Sequence, residues 1–131
     1  INTPSMLCVS DYLDALAWVK DMGGVGEAIR RSERNLRAIE AFVARNDWID
    51  FLAADQATRS NTSVCLVVDL EADRVKQMVA LLDAEGVAND IGAYRDAPAG
   101  LRIWCGATVE EEDVKKLMPW LEWAYMQVRK D

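Results

Sequence analysis

An arginine in the middle of an apolar run is the side chain in this sequence best suited to bind a carboxylate. Leu101-Arg102-Ile103-Trp104-Cys105 has the composition of a β-strand, in which successive side chains point to opposite faces of the sheet. Alternation turns Leu101, Ile103 and Cys105 towards a core, and it turns Arg102 and Trp104 away. The planar fork of a guanidinium matches the two oxygens of a carboxylate. The alternative is an exposed Arg102 that stacks on Trp104 or pairs with an acid, which by spacing alone is the more frequent arrangement.

Two other positions carry groups that suit an anion. Arg95 is at the tip of the hairpin that leads into this strand, where it could reach the same ligand as Arg102. The alternative for Arg95 is a turn residue that only pairs with Asp96, which by spacing is again the more frequent outcome. Asn2 and Thr3 offer an amide and a hydroxyl in an extended segment, and such groups suit the oxygens of a phosphate.

Other reactive residue types are few. The sequence has no histidine, which removes the most common general base, the Ser-His and Cys-His nucleophile systems and most zinc sites. The acidic run at 110–113 opens a predicted helix and favours its positive N-terminus, so we predict no metal site. Cys8, Cys65 and Cys105 each lie among apolar residues and far apart in sequence, which predicts buried free thiols in a reducing compartment, the cytoplasm.

These candidate residues must be positioned by the surrounding elements. Helical periodicity predicts four helices, at 11–22, at 25–46, at 72–85, and from Thr108 to about 128. Short apolar runs predict four strands, at 48–52, 63–68, 87–93 and 101–105. Two helix starts have a capping signal: Ser10 as an N-cap after an extended segment 1–9, and a capping box of Thr108 with Glu111.

This order predicts an α+β fold, with two leading helices followed by β-β-α-β-β-α in a mostly antiparallel sheet and with helices packed on one face. The strand at 63–68 is apolar on both faces and should be central. The two leading helices are long for so small a sheet. We therefore interpret residues 1–46 as a leading segment with bridging helices and residues 47–131 as a small C-terminal α+β domain.

Charge and length bear on the class of partner. The chain has 131 residues, enough for one domain, and a net charge of −7. This charge disfavours nucleic acid and anionic membrane surfaces, since both attract clustered Lys and Arg. Four arginines on the second helix alternate with glutamates, so we interpret them as a solvated face: Arg30, Arg31, Arg34 and Arg37. No run of about 18 apolar residues is present, so we predict no membrane span.

Three segments resemble, in the same order, segments of the phosphoserine aminotransferase family. They are residues 1–9, INTPSMLCV, with the helix that follows; residues 55–65, DQATRSNTSVC; and residues 94–106, YRDAPAGLRIWCG. The likeness covers essentially the whole chain. The chain resembles the C-terminal small domain of these enzymes. In the family, this domain follows the lysine that binds the cofactor.

The resemblance implies a pyridoxal-phosphate-dependent transferase of fold type I, active as a homodimer with the site at the subunit interface. In serine biosynthesis the family interconverts 3-phosphohydroxypyruvate plus glutamate with phosphoserine plus 2-oxoglutarate. The resemblance also implies that Asn2 and Thr3 reach the cofactor phosphate of the partner subunit. It implies that Arg102 holds the substrate α-carboxylate and that Arg95 helps to bind the anionic end of the substrate.

The Schiff-base lysine of the family is expected upstream of residue 1, on a large domain. None of the five lysines in this sequence matches that motif: Lys20, Lys76, Lys115, Lys116 and Lys130. Pyridoxal chemistry needs that amine, so we expect the isolated chain to be inactive. The alternative is a free-standing regulatory domain of the ACT type that binds an amino acid, which would need neither the leading helices nor Arg102. Alternation and resemblance agree on Arg102, and this favours the aminotransferase.

Overall fold

The computed structural model describes residues 3–129, which form four α-helices and three strands. Their order is α1 (Met6–Asp21), α2 (Gly24–Val43), β1 (Ile49–Phe51), β2 (Ser63–Val68), α3 (Ala72–Ala84), β3 (Gly100–Trp104) and α4 (Glu111–Val128). The strands pair antiparallel in the order β1-β2-β3, so the predicted central position of 63–68 is confirmed. The predicted α+β class with an antiparallel sheet is also confirmed. None of the described helices is both long and apolar enough to cross a membrane.

The core lies between one face of the sheet and the helices α2, α3 and α4. On β2, Val64, Leu66 and Val68 are buried, while the residues between them are only partly covered. The same alternation places the buried residues of β3 on this face, because the two strands are paired in register. Burying one such aliphatic side chain stabilises the fold by roughly 1.5–3 kcal/mol. Fully buried side chains come from α2, α3 and α4 and from the strands β2 and β3: Ile39, Met78, Leu82, Leu121, Val64 and Leu101.

The first helix begins at Met6, so the extended segment predicted for 1–9 is wrong from residue 6 onwards, and the N-cap predicted at Ser10 is wrong as well. Ser5 is the N-cap, and its side-chain oxygen accepts a hydrogen bond from the N–H of Cys8 at 3.4 Å. Pro4 precedes this cap and lies outside the helix, where its missing N–H costs nothing. A proline at this position is therefore compatible with a helix that begins two residues later.

The strand predicted at 87–93 is not formed, so the described sheet has three strands and β3 lies at its edge. This segment makes one isolated bridge, between Gly92 and Leu101, and the N–H of Arg102 donates to the carbonyl of Ile91 at 2.8 Å. The physical reason lies at Asp90, whose φ of 52° is in the left-handed region. This turn takes the chain out of the extended conformation before it can pair further with β3.

The capping box predicted from Thr108 and Glu111 is also wrong. Helix α4 starts at Glu111, and its N-cap residue is Glu110, which makes no side-chain capping hydrogen bond. Three acidic residues in the first turn stabilise the helix start instead, because negative charge is favourable at the positive end of a helix dipole. The acidic run also pairs with lysines of the same helix, for example Glu111 with Lys115 at 3.0 Å.

None of the residues of α1 is buried, although the helix carries many large apolar side chains. Its main contact in the described structure is with α2. Val25 and Ile29 in the first part of α2 are exposed as well, because the buried residues of this helix begin only at Ser32. The exposed apolar surface, which we name the α1 face, consists of Met6, Leu7, Val9, Tyr12, Leu13, Leu16, Trp18, Val25 and Ile29.

We expect Gly100→Ala to lower the free energy of unfolding by about 2–3 kcal/mol. Gly100 pairs with Val67 in β2, and a Cβ at position 100 would lie 2.0 Å from the carbonyl oxygen of Leu66. Backbone atoms cannot yield as a flexible side chain can, so β2 and β3 must separate. Urea or thermal unfolding of the protein measures the effect.

The matched control is Gly92→Ala, whose Cβ would have its nearest contact with Val79 at 4.0 Å. We expect this change to alter stability by less than about 0.5 kcal/mol. Equal stabilities of the Gly92 and Gly100 variants would contradict the close approach of the two strands.

Candidate functional site

Arg102 projects from the sheet face opposite the helices, as the alternation along β3 predicts. Leu101 and Ile103 are buried in the core, at 0% and 4% exposure, and Trp104 is 61% exposed. Directly across from Arg102 on β2 is Cys65, which is partly covered. Arg102 therefore lies on the open face of the sheet, with 25% of its side chain exposed.

The guanidinium of Arg102 already has a carboxylate partner. Its Nη2 donates to Oδ2 of Asp90 at 2.7 Å and approaches the backbone carbonyl of the same residue at 3.4 Å. Its central carbon lies 4.7 Å from the ring centroid of Tyr94, which is within cation–π distance. The side chains of Tyr94 and then of Asp90 raise the pKa of Arg102, so this guanidinium keeps its charge throughout the physiological pH range.

A cavity of about 240 Å³ adjoins this pair. Its walls are the segment 88–91, Arg102, Ile103, Trp104, and Leu117 of α4, so it lies at the edge of the sheet beside β3. The side chain of Asp90 is 89% exposed, so it covers Arg102 without closing the site. The arrangement is therefore a charged guanidinium, held on one side by an exposed acid and open on the other to a small cavity.

Arg95 is exposed at the tip of the loop before β3. Within residues 3–129 its side chain makes no hydrogen bond or ion pair, so the local pair with Asp96 is not formed there. Arg95 lines a second cavity of about 630 Å³, between α3 and this loop, together with Asp90 and Tyr94. Since these two residues also contact Arg102, both arginines border the same small group of side chains.

The two N-terminal candidates are not brought to Arg102 by the described structure. Asn2 lies outside the described residues. Thr3 is exposed and precedes the N-cap Ser5 of α1, a helix whose main contact is with α2. Thr3 is therefore not among the described partners of Arg102.

The sequence missed Asp90 and Tyr94 as partners of Arg102. Both lie in the segment predicted partly as a strand, and spacing along the chain does not show that a loop returns over the sheet face. One available signal was the Asn89-Asp90 pair, because Asn and Asp tolerate the left-handed backbone that a sharp turn needs.

Helix α2 holds the segment that follows β3. The side-chain amide of Asn35, which is 1% exposed, donates to the carbonyls of Cys105, Gly106 and Val109 at 3.0, 3.2 and 2.9 Å. Nearby, Nε of Arg31 donates to the carbonyl of Ala107 at 2.8 Å. The end of β3 is thus fixed from the core side.

The arginine stripe on α2 is only partly the solvated face that the sequence predicted. Arg31 is mostly covered and forms an ion pair with Glu110, so it links two helices. Arg37, in contrast, pairs with Glu33 at 4.0 Å in an exposed position, as expected for a solvated face.

The thiols and lysines offer no further chemistry. Cys8 is exposed, so its predicted burial is wrong, whereas Cys105 is buried and Cys65 is intermediate. Burial raises the pKa of Cys105 to about 11, so its thiol is protonated at neutral pH and is a poor nucleophile. The described lysines are exposed. Among residues 3–129, no group of three or more Cys, Asp or Glu side chains is placed to hold a metal ion.

Several known proteins similar in sequence to this chain are phosphoserine aminotransferases. The chain is 54% identical over 129 residues to the enzymes of Methanosarcina mazei and Methanosarcina barkeri, matches that cover 98% of this chain and 35% of each relative. It is 30% identical over 122 residues to that of Phocaeicola vulgatus, covering 89% of this chain and 33% of the relative. The chain thus spans about a third of the length of these relatives. No protein-family model matches it.

Solved structures show the same fold. The chain superposes on phosphoserine aminotransferase from Bacillus circulans subsp. alkalophilus with a TM-score of 0.85 at 18% identity, over 96% of this chain and 34% of that one. A phosphoserine aminotransferase structure concerned with radiation damage of the Schiff base gives a TM-score of 0.82 at 22% identity, over 96% of this chain and 35% of that one.

The chain is therefore an α+β domain with the fold of the matching part of these structures, and it carries an arginine on the open face of its sheet. At 54% identity over nearly its whole length, the chain belongs to the phosphoserine aminotransferase family and corresponds to the C-terminal part of those enzymes.

We expect Cys105 to resist alkylation by iodoacetamide at about pH 9 in the folded protein, while Cys65 reacts measurably. An unfolded thiol ionises near pH 8.5, whereas the folded Cys105 ionises near pH 11. Its contribution to stability is therefore complete below about pH 8.5 and is lost as the pH rises towards 11. Mass spectrometry of the alkylated peptides, with a urea-unfolded sample as the control, measures both thiols. Equal labelling of Cys65 and Cys105 in the folded protein would contradict the burial of Cys105.

Proposed function

We propose that this chain is the C-terminal domain of a phosphoserine:2-oxoglutarate aminotransferase and that Arg102 is its clamp for the substrate α-carboxylate. One observation carries the proposal. In a chain that is 54% identical to enzymes named phosphoserine aminotransferase, a charged guanidinium projects from the open face of the sheet beside a cavity. Alternation and the family resemblance lead independently to the same residue.

The clamp is supported by the chemistry of the guanidinium and by its surroundings. A carboxylate can accept two parallel hydrogen bonds from an arginine, which fixes its orientation as well as its position. Ile103 and Leu101 anchor β3 in the core on either side of Arg102. A guanidinium held on a strand in this way is better positioned than one on a loop, and transaminases need a closely defined substrate geometry.

For Arg95 we propose contact with the phosphate of the substrate or, for the second substrate, with its distal carboxylate. The absence of an ion pair for Arg95 among the described residues and its position on the larger cavity support this role. The cavity volume, about 630 Å³, lies within the usual range for small-molecule sites. Both substrates have an anion at each end, so two arginines at one site suit them.

For Asn2 and Thr3 we propose contact with the phosphate of pyridoxal 5′-phosphate in the partner subunit. The residues present fit an anion, because Thr3 is exposed and the first turn of the adjacent helix α1 carries no acidic residue. When bound, the cofactor supplies the electron sink for amino-group transfer. The role of this chain is to hold the phosphate at Thr3 and the substrate at Arg102.

The partners of this domain are proposed on the same grounds. The chain spans about 35% of its Methanosarcina relatives, and the α1 face leaves apolar side chains uncovered. We propose that residues 1–46 bridge to a large upstream domain, which carries the cofactor lysine, and that residues 47–131 form the small domain. On this proposal the enzyme is a cytoplasmic homodimer in serine biosynthesis, and the isolated chain is inactive.

The ACT-type alternative would need neither the leading helices nor Arg102. In the described part of the chain the strand predicted over 87–93 is not formed, so the predicted β-α-β-β-α order is not present there. No observation favours the alternative over the aminotransferase.

We expect Arg102→Ala in the full-length enzyme to raise KM for both acidic substrates and to lower kcat, so that kcat/KM falls about 100-fold. Arg102→Lys keeps the charge but loses the planar fork, so its kcat/KM should lie between those of the wild-type enzyme and of Arg102→Ala. Steady-state kinetics with glutamate and with phosphoserine measure the effect.

The control is Arg37→Ala, which removes an exposed arginine of α2 and should leave both constants unchanged. Unchanged kinetics of Arg102→Ala would refute the clamp.

A further inference from the structure

Arg102 is held by an acid from its own chain, and the geometry of this acid is unusual. Asp90 is the one residue other than glycine with a positive φ in the described part of the chain. Its carboxylate lies 2.7 Å from Nη2 of Arg102, yet 89% of its side chain is exposed. An acid that binds an arginine while remaining mostly in water can leave it at little cost.

Asp90 occupies the part of the guanidinium that a ligand would need. Nε of Arg102 is buried and has no hydrogen-bond partner among residues 3–129. The exposed part of the side chain is therefore its Nη end, and there Nη2 already donates to Asp90. A substrate carboxylate that binds the fork of Nη1 and Nη2 therefore competes with Asp90 for the N–H groups of Nη2.

The backbone keeps Asp90 near Arg102. The N–H of Arg102 donates to the carbonyl of Ile91 at 2.8 Å, and Gly92 forms a bridge with Leu101. These contacts hold the segment beside β3 even when the carboxylate of Asp90 points elsewhere. Because the acid is tethered, it competes at a high effective concentration.

We infer that Asp90 is an internal competitor, which occupies Arg102 in the empty site and is displaced by the substrate carboxylate. This inference rests on the proposed role of Arg102 as the clamp. It makes Asp90 a determinant of affinity for both substrates, because each must exchange with it. Asp90 thereby lowers the affinity for carboxylates and keeps Arg102 paired between turnovers.

The test is Asp90→Asn in the full-length holoenzyme. Asparagine has the same size and also tolerates a left-handed backbone, so the loop should keep its conformation. The probe is glutarate, a dicarboxylate that cannot be transaminated, measured as a competitive inhibitor against glutamate. We expect its inhibition constant to fall about two- to five-fold, in line with loss of one exposed ion pair. The difference in inhibition constant between the wild type and Asp90→Asn should decrease at high salt, because exposed charges are screened.

Asp96→Asn is the matched control, since it removes the same charge from an exposed position in the same loop. We expect it to leave glutarate binding unchanged. An equal fall of the glutarate inhibition constant in Asp90→Asn and Asp96→Asn would show a general charge effect and would overturn the role of Asp90 as a competitor. Unchanged or weaker binding in Asp90→Asn, with binding lost in Arg102→Ala, would overturn the competitor and leave the clamp intact. Wild-type binding of glutarate by Arg102→Ala would instead overturn the clamp itself.

Discussion

The division of β3 into two faces is the constraint on which the site depends. Leu101, Ile103 and Cys105 are almost completely buried, and a shift of the strand by one residue would exchange them for Arg102 and Trp104. Such a shift would place a guanidinium in an apolar core, which costs far more than the pairing of the strand can recover. The position of Arg102 is therefore fixed by its neighbours and not by any contact of its own.

The side chains around Arg102 come from a loop and not from the sheet. Asp90 and Tyr94 lie in a loop that is joined to β3 by one bridge and one further hydrogen bond. Arg95, on the same loop, is exposed. The site thus combines a rigid guanidinium with partners on a segment whose few backbone contacts allow small adjustments, a combination that suits ligands of different length.

The sequence predicted what depends on local pattern. Alternation placed Arg102 on the open face, and the two-sided apolar character of 63–68 placed β2 at the centre of the sheet. Capping signals failed at both Ser10 and Thr108, because in each case a competing residue or the helix dipole sets the helix start. The pairing of Asp90 with Arg102 could not be predicted, because it depends on how a twelve-residue separation closes through a left-handed turn.

The side-chain amide of Asn35 affects the long-term chemical stability of the domain. It joins three carbonyls of the segment after β3 to α2, and its own oxygen has no partner among the described residues. Hydrolysis of this amide would put a carboxylate against three carbonyl dipoles and would release the segment that follows Trp104. Burial at 1% exposure and the helical backbone of α2 both slow that reaction, so the durability of the domain depends in part on keeping water from the carbonyl carbon of one side-chain amide.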